Sequence, residues 1–163
     1  MRTLDEDDHR FMQRAIALGR EVAIERAEAG PFGCVIVKDG EIVAEGSNRV
    51  LLDGDPTAHG EMVALRAACR HLGTHLLHGC RVYTSSEPCP MCYAACWWAR
   101  VDEIYCASTI EDAHGYGGFD DRPILDALRL PPDARRIPVT QLCHEDMLKV
   151  WREFQAHPDR PHY

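Results

Sequence analysis

Residues 80–100 read CRVYTSSEPCPMCYAACWWAR, and this stretch decides how the chain is built. Cys80 to Ser85 is apolar and rich in β-formers, the pattern of a buried strand, whereas Pro90 to Arg100 has helical character. Pro90 suits the first helical position, where its missing N–H would have no intrahelical partner anyway. Cys89 and Cys92 therefore fall at the mouth of a helix that follows a strand. Glu103 to Ala107 reads as the next strand, and two strands joined by a helix are expected to run parallel.

The same alternation extends in both directions. Upstream, Ala58 to Leu72 is helical, and Cys34 to Lys38 and Glu41 to Glu45 flank Asp39-Gly40, a strong hairpin turn. Phe11, Ala15, Leu18 and Val22 repeat at helical spacing behind the acidic run Asp5 to Asp8, which suits the positive end of a helix dipole. Downstream, Glu111 to Pro123 is a polar, glycine-rich loop, Ile124 to Leu128 a short helix, Ile137 to Leu142 a last strand and Glu145 to Gln155 a final helix. The expected architecture is a three-layer α/β domain. With 163 residues the chain is expected to form one domain, residues 1–163, burying roughly 70% of its unfolded surface.

A formal net charge of −8 opposes any partner held through a phosphate backbone, since such binding relies on clustered Lys and Arg. Nucleic acid and membrane are not expected partners: no apolar run approaches a membrane span, and the acidic start shows no secretory or transit pattern. The expected location is the cytoplasm, where the eight cysteines stay reduced and local Cys clusters read as metal or catalytic sites. Cys34, Cys69, Cys80, Cys106 and Cys143 sit mostly in apolar patterns and are expected to be small buried hydrophobes, as is Cys96.

His59, Cys89 and Cys92 can fill three of zinc's four tetrahedral positions and leave the last for water, the arrangement of a catalytic zinc site. Both ligand-bearing helices should begin close to the ion, their N-terminal dipoles and free amides holding the sulfurs as thiolates. Glu61, two residues after His59, can reach the same site if His59 precedes the regular helix, and would then act on the water without ligating the metal. Two other readings remain on these residues alone. Cys-x-x-Cys after a strand also resembles a thioredoxin-like redox pair, which leaves His59 and Glu61 without a role. Cys96, one turn beyond Cys92, would close the site as a structural zinc module.

His59-Gly60-Glu61 and Pro88-Cys89-Pro90-Met91-Cys92 resemble the HxE and PCxxC signature of zinc deaminases in the cytidine deaminase-like superfamily. The stretches PFGCVIVKDG, DPTAHGE, YTSSEPCPMC, WWAR and GFDD are similar to bacterial guanine deaminases in particular, from about Phe11 to Tyr163. The resemblance implies a three-layer α/β/α sandwich with a central five-stranded mixed sheet, one zinc on His59, Cys89 and Cys92, and Glu61 as proton shuttle. It also implies that Asn48 hydrogen-bonds the base, that Phe32 and Trp98 line the pocket, and that Asp121 binds or protonates a purine. A homodimer is implied, with residues from about 145 to 163 swapped so that Tyr163 meets the partner's substrate. Gly60 departs from the alanine common in guanine deaminases and matches fungal cytosine deaminases, so it bears on ligand shape. An extra glycine in the loop Ala113 to Gly118 bears on the placing of Asp121. The implied reaction is guanine to xanthine and ammonia, with guanosine, cytosine and tRNA adenosine deamination as alternatives.

Overall fold

The computed structural model describes residues 3–161 and divides the chain into two compact units, residues 1–124 and 125–163. In the first unit, helix α1 (Glu6–Arg20) starts from a reciprocal cap: the Asp5 side chain accepts from the Asp8 amide, and the Asp8 side chain accepts from that of Asp5. The acidic run thus supplies the helix start its composition suggested. A π-helical turn, Glu21–Glu25, continues it. Strands β1 (Gly33–Lys38) and β2 (Glu41–Ser47) follow as an antiparallel hairpin. Asp39 and Gly40 both take positive φ, 52° and 81°, the geometry whose twist matches that of the flanking strands.

A short helix α2 (Val50–Asp53) leads to α3 (Gly60–Leu72), then β3 (Cys80–Ser86), α4 (Pro90–Ala99), β4 (Glu103–Ser108) and α5 (Ile110–Gly117). The sheet order is β2-β1-β3-β4, with β1 antiparallel to β2 and β3, and β3 parallel to β4. The parallel pair is the one joined through α4, as expected. Helix α1 covers one face, where Phe11 and Ala15 meet Val35, Val37 and Tyr83. On the other, Ala64, Leu65 and Ala68 of α3 and Cys96 and Ala99 of α4 meet Cys34, Ile36 and Val82. Successive β1 residues point to opposite faces, and both faces are covered, so Cys34 to Val37 are buried without interruption.

Buried Asp8 ties the α1 layer to the sheet by accepting from the Tyr83 hydroxyl at 2.5 Å and pairing with Arg81 at 3.3 Å. Gly46 does the same for the α3 layer by having no side chain. A Cβ there would stand 2.4 Å from the Gly60 carbonyl oxygen and 2.6 Å from the Ala64 amide, so glycine alone lets β2 approach the first turn of α3.

The second unit begins within α6 (Arg122–Arg129) and carries α7 (His144–Ala156). Three expectations are corrected. The sheet has four strands, not five: Ile137 to Leu142 is irregular, with Ile137 82% and Leu142 85% exposed. Pro138 offers no amide to a ladder, and the Val139 amide turns back to the Pro132 carbonyl at 2.9 Å. Most of the expected loop at Glu111 to Pro123 is helical, because the Thr109 and Asp112 side chains form a capping box that starts α5. Cys106 and Cys143 are exposed, Cys106 on the edge strand β4 and Cys143 at the left-handed residue before α7.

Candidate active site

Two loops, one after α2 and one after β3, each end in a candidate metal ligand that stands just ahead of a helix. His59 is the N-cap of α3 with extended backbone, φ −67° and ψ 157°, and Cys89 is the N-cap of α4 with φ −61° and ψ 165°. The extended residue at 59 lets His59 and Glu61 share one side despite their spacing. Pro90 takes the first helical position and Cys92 completes that turn. The His59 side chain makes no capping bond to its own helix, so the imidazole is left to face the site, where it meets the Cys89 sulfur.

His59 Nδ1 lies 3.5 Å from Cys89 Sγ and 3.6 Å from Cys92 Sγ, and the three ligand atoms all lie within 4.8 Å of one another. Zn–S and Zn–N bonds of about 2.3 and 2.0 Å in a tetrahedron put a nitrogen and a sulfur ligand about 3.5 Å apart, which the two His59–cysteine separations match. Among the described residues they are the one group of this kind, and Cys96 packs instead in the core against the sheet. The Cys89 thiol is lowered to about 4, first by its bond with Cys92 and then by His59, against the opposing effect of burial. Cys92 is raised, chiefly by the same bond and by burial. Of the two sulfurs, Cys89 is thus the one whose thiolate form the site favours. His59 is raised by its contact with Cys89.

Glu61 is 5% exposed, with Oε1 accepting from the Thr84 hydroxyl at 3.1 Å and Oε2 lying 3.4 Å from Cys92 Sγ. Burial raises its carboxyl, which is the direction needed of a group that both takes and gives protons near neutrality. Above these residues lies a cavity of about 340 Å³ whose wall includes Phe32, Asn48, His59, Glu61, Cys89 and Asp121. Asn48 follows β2 directly. Its amide donates to the Phe32 carbonyl at 2.9 Å and its Oδ1 accepts from Val50 at 3.0 Å, which fixes the side-chain plane and leaves Nδ2 for a ligand. Phe32 meets Phe119 edge to face with centroids 4.9 Å apart. Asp121 is raised by burial and then by the charge of Cys89.

Gly60 is buried beneath this wall rather than part of it, and a Cβ there would stand 3.0 Å from the Phe32 carbonyl oxygen. Trp98 lies outside the cavity, 59% exposed beside the Arg100 guanidinium. Tyr163 lies outside the described residues. Ser86, Glu87, Ala113 and Phe119 line the cavity without having been singled out from the sequence. Glu87 and Phe119 sit inside the motifs SEPCPMC and GFDD, so the signal for them was present but attached to their neighbours. The cavity wall carries three carboxylates, Glu61, Glu87 and Asp121, and no lysine or arginine.

A mixed sheet that presents one imidazole, two thiols and a buried carboxylate at two convergent helix starts defines a zinc-dependent hydrolytic deaminase. Residues 5–108 match the cytidine and deoxycytidylate deaminase zinc-binding region, and the chain belongs to that family. It is 44% identical to guanine deaminase of Bacillus subtilis (strain 168) over 88% of this chain and 93% of the relative. The crystal structure of guanine deaminase from Bacillus subtilis superposes with a TM-score of 0.90 over 98% of this chain and 99% of the other, at 39% identity. A guanine deaminase structure from Nitrosomonas europaea superposes with a TM-score of 0.65 at 31% identity, over 96% of this chain and 88% of the other. The tRNA-specific adenosine deaminase of Aquifex aeolicus (strain VF5) is 43% identical over 57% of this chain and 60% of its own length. No helix among the described residues is long and apolar enough to cross a membrane.

Proposed function

We propose that this deaminase acts on guanine, adding water at the amino-bearing carbon to give xanthine and ammonia. The observation that carries the reading is Glu61, buried beside the zinc-ligand cluster at the base of a cavity whose other walls suit a flat, hydrogen-bonding base. Zinc held by His59, Cys89 and Cys92 would acidify a bound water enough to supply hydroxide near neutral pH. Glu61 takes one proton from the attacking water and passes it to a purine ring nitrogen, then takes the second from the added hydroxyl and delivers it to the amine, so that the C–N bond breaks, ammonia leaves and the new carbonyl forms. Its raised pKa suits both halves of that exchange.

Phe32 offers an aromatic face to the ring, and the Asn48 Nδ2 donates to a base acceptor. Asp121 accepts from ring or amino N–H groups and can return a proton. Gly60 bears on the fit of the base through its packing under Phe32. The three carboxylates and the missing basic side chains in the wall disfavour a phosphate-bearing ligand, which separates a free base from nucleotides and from tRNA. Ammonia release from zinc-loaded protein over guanine, guanosine, adenine, cytosine, cytidine and cytidine monophosphate tests this. Guanine is expected to exceed every other compound by at least about 100-fold in kcat/KM, a discrimination within reach of buried hydrogen-bonding groups. A larger value for cytosine or a nucleoside would replace guanine as substrate.

We further propose a cytoplasmic homodimer in which the segment from about 145 to 163 reaches the partner's active site. Exposed Tyr93, Trp97 and Trp98 on α4, and exposed Met147, Val150 and Trp151 on α7, supply apolar surface of the kind an association buries. Removal of Tyr163 is expected to raise KM for the base about tenfold with an unchanged melting temperature, a loss of the size one contact makes. Unchanged kinetics, or a monomer by light scattering, would remove the swapped tail.

A further inference from the structure

Glu87 lines the cavity but takes no part in the zinc cluster, and its hydrogen bonds run elsewhere. Its Oε2 accepts from the Ile110 amide at 3.2 Å, the first amide of α5. Its own amide donates to the Ser108 carbonyl at 2.8 Å, and the Ser108 hydroxyl donates to the Ser85 carbonyl at 3.1 Å. These three bonds stitch the turn that leads into Cys89 to the turn that leads into α5. Among the residues of α5 only Ile110 is buried, so apolar packing does little to hold that helix in place. A carboxylate at its first amide adds both a bond and a favourable interaction with the helix dipole.

What α5 carries gives this attachment a functional consequence. The helix ends at left-handed Gly118, the Phe119 amide returns to the Ala113 carbonyl at 3.2 Å, and two residues later Asp121 enters the cavity wall. Asp121 is therefore placed by a helix whose other end is held by Glu87, two residues from a zinc ligand. We propose that Glu87 is a positioning residue, which sets the distance between the zinc cluster and Asp121 by anchoring the start of α5. This rests on the role given to Asp121 above.

The test is a double-mutant cycle on the zinc-loaded enzyme with guanine, using Glu87→Ala, Glu87→Gln, Asp121→Asn and the Glu87→Ala/Asp121→Asn pair. Glu87→Ala is expected to lower kcat/KM about tenfold with zinc content unchanged. Glu87→Gln is expected to recover to within about twofold of the parent, since its amide oxygen still accepts from Ile110. In the Asp121→Asn background, Glu87→Ala is expected to cost less than about twofold, because the group it positions is already gone. Losses that multiply, a Glu87→Gln variant as poor as the alanine, or full activity in Glu87→Ala would each overturn the proposal. Full activity in Asp121→Asn alone would instead overturn the reading of Asp121 and take this proposal with it. An impaired Asp121→Asn with multiplicative losses leaves that reading standing and removes only the coupling.

Discussion

Glu61→Gln is expected to lower kcat by about 10³ to 10⁴-fold while the protein keeps about one zinc per chain. Positioned acid–base groups contribute about 10²–10⁴-fold, and the upper part of that range applies because one carboxylate serves every proton transfer proposed. Such a loss is about 4 to 5.5 kcal/mol of activation free energy. Glutamine keeps the shape of the side chain and can still accept from Thr84, which now meets Glu61 Oε1 at 3.1 Å, so the fold has no reason to change. The same substitution has a signature in stability. Burial raises the Glu61 carboxyl above its ordinary value of 4.5, so in the metal-free fold its ionised form is disfavoured. That cost is absent below the unfolded value and grows as pH rises through the folded one, so the metal-free parent loses stability across that window. Glutamine does not titrate there. Metal-free Glu61→Gln is expected to melt at or above the parent's temperature once pH exceeds the window. Turnover retained in the variant, with metal and fold intact, would exclude Glu61 as the proton carrier.

That the candidate zinc cluster is legible in the sequence follows from how local its determinants are. Cys89, Pro90 and Cys92 share one helix start, and His59 with Glu61 share another, so each half of the site is fixed within a few residues. Spacing alone left open whether the halves meet and whether Cys96 joins them. The 3.5 and 3.6 Å contacts settle the meeting, and the seat of Cys96 between α4 and the sheet settles its exclusion. The first strands are equally readable, since β1 is apolar from Cys34 to Val37 and Asp39-Gly40 makes the turn. The errors arose where a local pattern needs a distant partner. Ile137 to Leu142 has the composition of a strand, yet among the described residues no strand pairs with it. Cys106 looked like core because its alternation was visible while its place at the sheet edge was not. Glu87 is silent in the sequence for a related reason: its partner is a backbone amide at the start of α5, which no side-chain motif records.

His59→Ala is expected to lose zinc, and with it activity, without unfolding the chain. The imidazole is half-buried at the end of an extended residue, so its removal empties a polar corner rather than the core. Loss of a group that merely supports a ligand costs about 10–100-fold in metal affinity, and loss of a ligand itself removes one of three protein bonds, so a larger fall is expected. Cys96→Ala is the matched control: that thiol is buried in the apolar cluster beside Cys34 and Ala99, and its removal should cost stability while zinc stays bound. Zinc uptake should also weaken as pH falls. Metal must displace protons from its ligands, and Cys92, raised by the Cys89 bond and by burial, and His59, raised by the same sulfur, hold theirs more firmly than Cys89, which is lowered. Chelator competition across pH, with metal content by elemental analysis, reads all three. Normal zinc in His59→Ala would discard the ligand set, whereas zinc lost from Cys96→Ala would make the site a closed, structural one and end the case for hydrolysis.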